Sequence, residues 1–268
     1  SKYALGQLVH MTTADGFTLP GMIVYPKGFD PAKKYPVHVD IYGGPNSPVV
    51  RDRWTFPTAN NQWWSENGII QIWVDPRAGG HNGRKGLDMI YRQLTVNEVK
   101  DFCAWGEWLQ ALPYVKADKI GVEGFSFGGT MTTMLVMRAS DKFHYGIAGG
   151  GVYDWALYDS HYTERYMDTP ADNPEGYEVS KVLNYVAEYP VGYGKDAQDD
   201  SVMLKITHGT GDDNVHHQNT LLLVDQLHKA QKKFEFMIYP DGMHGYYSYQ
   251  GAHFLLANRD FWMQYLCN

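Results

Sequence analysis

The string Gly124-Phe125-Ser126-Phe127-Gly128-Gly129 sets a hydroxyl between glycines two residues away on either side. That spacing suits a nucleophile exposed on a tight strand-to-helix turn, because glycines permit the strained turn and the close approach of helix to strand. The same turn aims backbone N–H groups and the positive end of a helix at a developing oxyanion. Ser126 is therefore the candidate nucleophile for acyl transfer. A hydroxyl is a weak nucleophile, so it needs a base, and the base needs an acid to orient it. On α/β-hydrolase scaffolds these follow the serine in the order acid, then histidine, on loops after later strands. Gly209-Thr210-Gly211-Asp212-Asp213-Asn214 offers two adjacent acids, which residue preference does not separate. Pro240-Asp241-Gly242-Met243-His244-Gly245 offers the base.

The chain has 11 histidines, so most must serve other ends. His10, His38 and His81 precede the serine, on the wrong side for this order. His228 falls inside a helical pattern, and His253 inside the final one. His216-His217 has no third ligand at zinc spacing and reads as a helix start. His208 precedes the acids and reads as a buried structural histidine, and His244, directly after a strand, is the pick.

The elements needed to position these groups are legible. Gln7 to Thr12 and Phe17 to Tyr25 read as strands around an Asp15-Gly16 turn. Tyr35 to Tyr42 alternates, and Gly68 to Val74 is a continuous apolar run suited to a strand covered on both faces. Lys119 to Glu123, Tyr145 to Ala148, Val202 to Thr207 and Phe234 to Tyr239 complete the strands. Helical periodicity falls over Leu94 to Leu112, Ser126 to Ala139, His217 to Ala230 and Gln250 to Leu266. This β-α-β-α order predicts an α/β class chain, a doubly wound, mostly parallel sheet with helices on both faces. The acid and histidine loops each follow a strand directly. A segment from residue 149 to 201, rich in Tyr, Asp, Pro and Gly, breaks the rhythm. It is expected over the carboxyl ends of the strands, where open α/β sheets bind ligands.

Composition narrows the class further. A share of 44% hydrophobic and 20% charged residues excludes a mainly disordered chain. A net charge of −7 without a Lys/Arg cluster argues against nucleic acid as partner. No apolar run approaches the ~18 residues of a membrane span. The two cysteines, Cys103 and Cys267, rule out a disulfide framework and show no zinc spacing. The chain begins Ser1-Lys2 without Met or a secretory apolar segment, which reads as a processed chain or a piece of a longer one.

Taken together, the motifs resemble the catalytic domain of the dipeptidyl peptidase IV family, within the prolyl oligopeptidase group of serine peptidases. The resemblance runs from about Tyr35 to the C-terminus. It rests on Tyr42-Gly43-Gly44-Pro45, Asp75-Pro76-Arg77-Ala78-Gly79-Gly80 and Gly124 to Gly129. More specific are Tyr158-Asp159-Ser160-His161-Tyr162-Thr163-Glu164-Arg165-Tyr166-Met167 and His208-Gly209-Thr210-Gly211-Asp212-Asp213-Asn214-Val215-His216, completed by His244-Gly245.

The resemblance implies an α/β-hydrolase fold, Ser126 as nucleophile, His244 as base and Asp212, rather than Asp213, as its partner. It implies that the Tyr42 hydroxyl and the Phe127 N–H stabilise the oxyanion. Val152, Trp155, Tyr158, Tyr162, Phe127 and Val215 match the family's pocket for the residue before the cleaved bond, a rigid apolar slot for a proline ring that also admits alanine. Asn214 matches the asparagine that binds a substrate carbonyl. The reaction implied is release of N-terminal X-Pro or X-Ala dipeptides through an acyl-enzyme, with no metal or organic cofactor. An exported (periplasmic or extracellular) homodimer is also implied.

Three departures stand out. Phe125 and Phe127 replace the family's usual Trp and Tyr, so the pocket loses a hydroxyl. Animal members bridge the cysteine matching Cys267 to one aligned near Tyr145, which is impossible here. The family also carries an N-terminal β-propeller whose glutamates grip the substrate's amino terminus. Residues 1–268 read as the hydrolase domain alone, a fragment lacking that propeller. Competing expectations are a tripeptidyl peptidase, an acylaminoacyl peptidase or an esterase on the same scaffold, and a non-catalytic oligomerisation module.

Overall fold

The computed structural model describes residues 3–53, 58–194 and 201–268. Alternating and apolar runs become the strands of one sheet. β1 (Gln7–Thr12) and β2 (Thr18–Val24) pair antiparallel around a turn in which Gly16 takes a φ of 91°. There follow β3 (Tyr35–Asp40), β4 (Ile70–Val74), β5 (Val115–Phe125), β6 (Tyr145–Gly149), β7 (Met203–Gly209) and β8 (Glu235–Tyr239). Their spatial order is β1-β2-β4-β3-β5-β6-β7-β8. β2 runs antiparallel to β4, and every later neighbour is parallel.

The helices are α1 (Ala59–Glu66), α2 (Gly83–Leu87), α3 (Val96–Gln110), α4 (Phe127–Arg138), α5 (Ser160–Met167), α6 (Pro174–Ser180), α7 (Gln218–Lys229) and α8 (Tyr249–Leu266). The central strands are buried on both faces, which is why they read as apolar runs. On one face Phe102, Trp105 and Leu109 of α3, Met131 and Leu135 of α4 and Leu223 of α7 share one buried cluster with Val37, Val39, Ile120 and Val122 of the sheet. On the other, Phe261, Trp262 and Tyr265 of α8 cover Ile147 and Met203. This is the doubly wound arrangement that the alternation predicts, and none of these helices is long and apolar enough to cross a membrane.

Strand register aligns the ends that matter. Asp40 pairs with Glu123, Phe125 with Gly149, Gly149 with Thr207, and Gly209 with Tyr239. The loops carrying Tyr42, Ser126, Asp212 and His244 therefore all leave the same edge of the sheet within a few residues of a registered pair.

Three segments differ from expectation. β5 begins at Val115 rather than Lys119, because Val115 pairs with Tyr35 ahead of a bulge that restores register at Val37 and Ile120. α1 has little amphipathic signal, but the Thr58 side chain caps it by accepting from Asn61 N at 3.2 Å. The 149–201 segment is partly helical: Asp159 caps α5 by accepting from Tyr162 N at 2.7 Å, and Asn173 caps α6 ahead of Pro174. Its residues 195–200 lie outside the described residues.

The Asp75-to-Gly80 motif is explained by burial. Arg77, fully buried, donates to Asp101 on α3 at 2.7 Å and to Asp15 in the β1–β2 turn at 2.8 Å. It thus ties the antiparallel edge of the sheet to the helix behind it. Both cysteines are free, and where the resemblance implies a bridge, Tyr145 stacks on Tyr265 with ring centroids 5.1 Å apart.

Candidate active site

Ser126 sits between β5 and α4 with φ 62° and ψ −120°. A non-glycine residue in that region costs of order 1–3 kcal/mol and persists only when its surroundings enforce it. Here they do: Ser126 N–H donates to Gly149 O at 2.8 Å, and Ser126 O accepts from Thr130 N at 3.1 Å. Gly128 has to be a glycine, since a Cβ there would stand 2.6 Å from the Ile41 carbonyl oxygen. Phe127 opens α4, so its N–H has no intrahelical acceptor and lies at the positive end of the helix.

Asp212, only 5% exposed, lies three residues beyond β7. Its Oδ1 accepts from the backbone amides of Asn214 and Val215, each at 2.9 Å. Its Oδ2 lies 2.8 Å from His244 Nδ1. Burial by itself would raise this carboxyl, but hydrogen bonds from His208, His244 and Asn214 N outweigh it and hold the group well below the usual carboxylate range. With Nδ1 directed at an ionised carboxylate, the His244 Nε2 is left to accept a proton. Asp213, by contrast, is exposed.

The His244 ring is half-buried and packs edge-on to Phe125 with centroids 5.1 Å apart. It overhangs the end of β6, where a Cβ on Gly150 would stand 3.5 Å from its Cε1. That is the same strand end whose Gly149 carbonyl anchors the Ser126 N–H.

Tyr42 follows β3 by two residues, and its side chain hydrogen-bonds Ser126. Burial raises its phenol above the ordinary tyrosine range, and the bond to Ser126 partly opposes that. The proton therefore stays on the phenol near neutral pH, as a donor requires. The loop beyond Tyr42 is pinned by buried Asp75, which accepts from Val49 N at 3.0 Å and Val50 N at 2.9 Å.

The aromatic residues of the 149–201 segment converge beside this edge. Trp155 lies 5.6 Å from Phe127, 5.9 Å from Tyr158 and 6.3 Å from Tyr162, centroid to centroid, the last pair nearly parallel at 16°. Val152, Val215, Trp155 and Phe127 are buried, while Tyr158 and Tyr162 are half-exposed. The Tyr158 hydroxyl donates to Asn214 Oδ1 at 2.7 Å, joining the ring cluster to the acid loop. Thr130 of α4 bonds both the N–H and the carbonyl of Val152, and Asn219 of α7 accepts from the Tyr153 N–H. The segment is thus fastened to the two helices behind the site.

Four neighbours had no role at the site in the reading from sequence. Phe125 braces the histidine ring, and Tyr246 packs on Phe125 at 5.6 Å while donating to Thr207 Oγ1 at 3.0 Å. Tyr166 extends the ring cluster 5.0 Å beyond Tyr162, at the i+4 spacing on α5 that could have signalled it. His208 reaches Asp212 from inside the sheet, at 3.2 Å.

The sheet order, the serine turn after β5 and the loops after β7 and β8 define an α/β-hydrolase of the serine-peptidase type. The chain belongs to the prolyl oligopeptidase family, whose pattern matches residues 54–268. A relative in Uncinocarpus reesii named "Probable dipeptidyl-aminopeptidase B" is 40% identical over 265 residues, covering 96% of this chain and 27% of that protein. One of the same name in Coccidioides posadasii is 37% identical, covering 98% of this chain and 28% of that protein. The crystal structure of Porphyromonas gingivalis dipeptidyl peptidase 4 superposes with a TM-score of 0.90 at 35% identity, over 98% of this chain and 36% of that one. The chain therefore spans about a quarter of the length of these curated relatives.

Proposed function

We propose that this chain is the hydrolase domain of a serine exopeptidase that cleaves after proline or alanine and releases N-terminal dipeptides through an acyl-enzyme. The observation that carries the proposal is the 2.8 Å contact between His244 Nδ1 and Asp212 Oδ2, beside a Ser126 that is held at positive φ and bonded to Tyr42.

On this reading the steps are as follows. His244 Nε2 takes the Ser126 hydroxyl proton as Oγ attacks the scissile carbonyl carbon. The Tyr42 O–H and Phe127 N–H donate to the resulting oxyanion. Collapse of the tetrahedral species passes the proton from His244 to the leaving amine and leaves the acyl group on Ser126. A water molecule, deprotonated by His244, then reverses the sequence and frees the dipeptide. Asp212 stays ionised throughout, offsetting the charge that His244 gains.

Specificity for proline would arise from the slot. Trp155, Tyr162, Val152 and Val215 would form rigid apolar walls with little conformational entropy to lose, which would admit a pyrrolidine ring and reject a longer side chain; their burial and the stacking of Trp155 on Tyr162 support this reading. Asn214, whose Oδ1 accepts from the Tyr158 hydroxyl, would donate its amide N–H to a substrate carbonyl. We assign the grip on the substrate's free amino terminus to a domain outside this sequence, an N-terminal β-propeller in the family the chain resembles.

Ser126→Ala in the full-length protein should lose fluorophosphonate labelling and about 10⁵–10⁶ of its turnover on Gly-Pro anilides, with its melting temperature retained. A Ser126→Ala protein that still labels at the wild-type rate removes the assignment. Tripeptidyl-Pro and acetyl-amino-acid substrates, run in parallel, separate the dipeptidyl reading from its relatives.

A further inference from the structure

The acid of the proposed triad has a second histidine. His208, within β7, is fully buried, and its Nε2 lies 3.2 Å from Asp212 Oδ2. That is the oxygen His244 Nδ1 approaches at 2.8 Å. The same Nε2 lies 2.9 Å from the Val215 carbonyl oxygen. Both neighbours are acceptors, so Nε2 must carry a proton and donate to them, whatever the charge of the ring. On the far side Nδ1 lies 2.7 Å from Thr220 Oγ1 on α7, a hydroxyl that can fill either role.

The chain of contacts continues inward. Thr220 hydrogen-bonds the buried Tyr153 hydroxyl, and the His217 ring stands edge-on to His208 at 5.4 Å. The titratable groups facing His208 are thus Asp212 and, beyond it, His244, together with His217 on the helix entry and Tyr153 behind Thr220. Val215, whose carbonyl His208 holds, also donates its own N–H to Asp212 Oδ1. One imidazole therefore fastens both the carboxylate and the backbone that orients it.

Building on the triad proposed above, we infer that His208 is a positioning residue for Asp212, sharing Oδ2 with His244 and so setting both the carboxylate rotamer and the basicity of His244. Backbone amides fix only Oδ1. Without a second donor at Oδ2, that oxygen is held by His244 alone and its aim follows that ring when it moves. His208 also draws off part of the Oδ2 charge, which weakens the pull on the proton that His244 gains during attack. Removing it has two separable effects: a less well-aimed acid, lowering kcat, and a more basic His244, moving the acid limb of the pH profile upward.

The test compares full-length wild type, His208→Ala, His208→Gln and Thr220→Val. Each is assayed for fluorophosphonate labelling and for Gly-Pro anilide hydrolysis from about pH 5 to 9. His208→Ala is expected to lose about tenfold in kcat with KM within about twofold, and to shift the acid limb of kcat/KM upward by about half a unit. His208→Gln, whose amide N–H can reach the same oxygen, should recover most of both. Thr220→Val frees the ring from its other anchor and should fall between wild type and alanine, which keeps the test decisive even where His208→Ala fails to fold. Wild-type labelling with variants that keep its kcat and pH profile overturns this inference alone. So does an equal loss in Ala and Gln with an unmoved acid limb, which marks packing only. A wild type inert to the probe instead sinks the triad reading, and this inference with it.

Discussion

The Ser126 N–H donates to the Gly149 carbonyl at 2.8 Å. One hydrogen bond thus couples the serine turn to the strand that feeds the aromatic segment. β6 ends at Gly149, Val152 follows three residues later, and Thr130 on the serine's own helix grips Val152 through both backbone groups. The groups proposed for chemistry and those proposed for selection share one rigid frame, so a substrate carbonyl seated in the slot has a defined distance to the hydroxyl.

Tyr42→Phe removes the phenol donor while leaving the ring against Phe127. If that phenol serves the oxyanion, kcat falls about 10²–10³-fold with little change in KM. Steady-state kinetics on a Gly-Pro anilide read this directly; an unchanged kcat takes Tyr42 out of the mechanism.

Asp212→Asn keeps the shape of the loop but deprives His244 of a charged partner and allows the wrong tautomer. Turnover is expected to drop about 10⁴-fold. Asp213→Asn, on the exposed neighbour, should stay within about twofold of wild type, so the pair settles which acid matters. Stability has a pH signature too. A carboxyl depressed on folding contributes stability that is complete above about pH 4 and fades only as pH falls through its lower folded value. Urea melts below pH 4 should therefore show a steeper loss in wild type than in the asparagine variant.

Trp155→Leu opens the wall that stacks on Tyr162. If these rings form the proposed proline slot, the kcat/KM ratio of Pro over Ala substrates narrows by about tenfold, because alanine would fill it less well. The variant should also lose roughly 2–4 kcal/mol of stability, since a nearly fully buried indole is replaced by a smaller side chain. A preserved ratio would place proline selection elsewhere.

Glu98, fully buried on α3, is pushed up to about 8, mainly by desolvation, with Asp101 adding and Arg77 opposing. A carboxyl raised on folding binds more protons folded than unfolded between its two values, so its stabilising effect is present at low pH and lost as pH climbs from about 5 to 8. Glu98→Gln should flatten that decline in thermal melts and exceed wild type in stability at pH 9 by about 1 kcal/mol or more. Parallel stability curves for the two proteins across this range would show that the carboxyl does not titrate there.

Much of the fold was legible because it rests on local rules. Strands covered on both faces must be apolar runs, and the Asp15-Gly16 turn announces the hairpin. The elements that went unread were those whose stability is not written in their periodicity. α1, α5 and α6 are short and polar, and depend on the caps at Thr58, Asp159 and Asn173. The bulge that starts β5 early is a pairing between strands 80 residues apart in register terms, Tyr35 with Val115, which no window sees.

The site divides along the same line. Order along the chain sufficed to choose Ser126 and His244, because each stands on a loop that directly follows a recognisable strand. It left Asp212 and Asp213 level until a resemblance separated them, and it left His208 as mere core. Those questions turn on which way a side chain points. That direction is set by parallel register, with Gly149 beside Thr207 and Gly209 beside Tyr239, and by turns such as the one placing both Asp212 oxygens inward. The sequence alone determined residue types, their order and the edge of the sheet where they gather. Only the packed sheet decided which acid meets His244 and what stands behind it, since contacts between distant strands carry information that spacing along one strand does not.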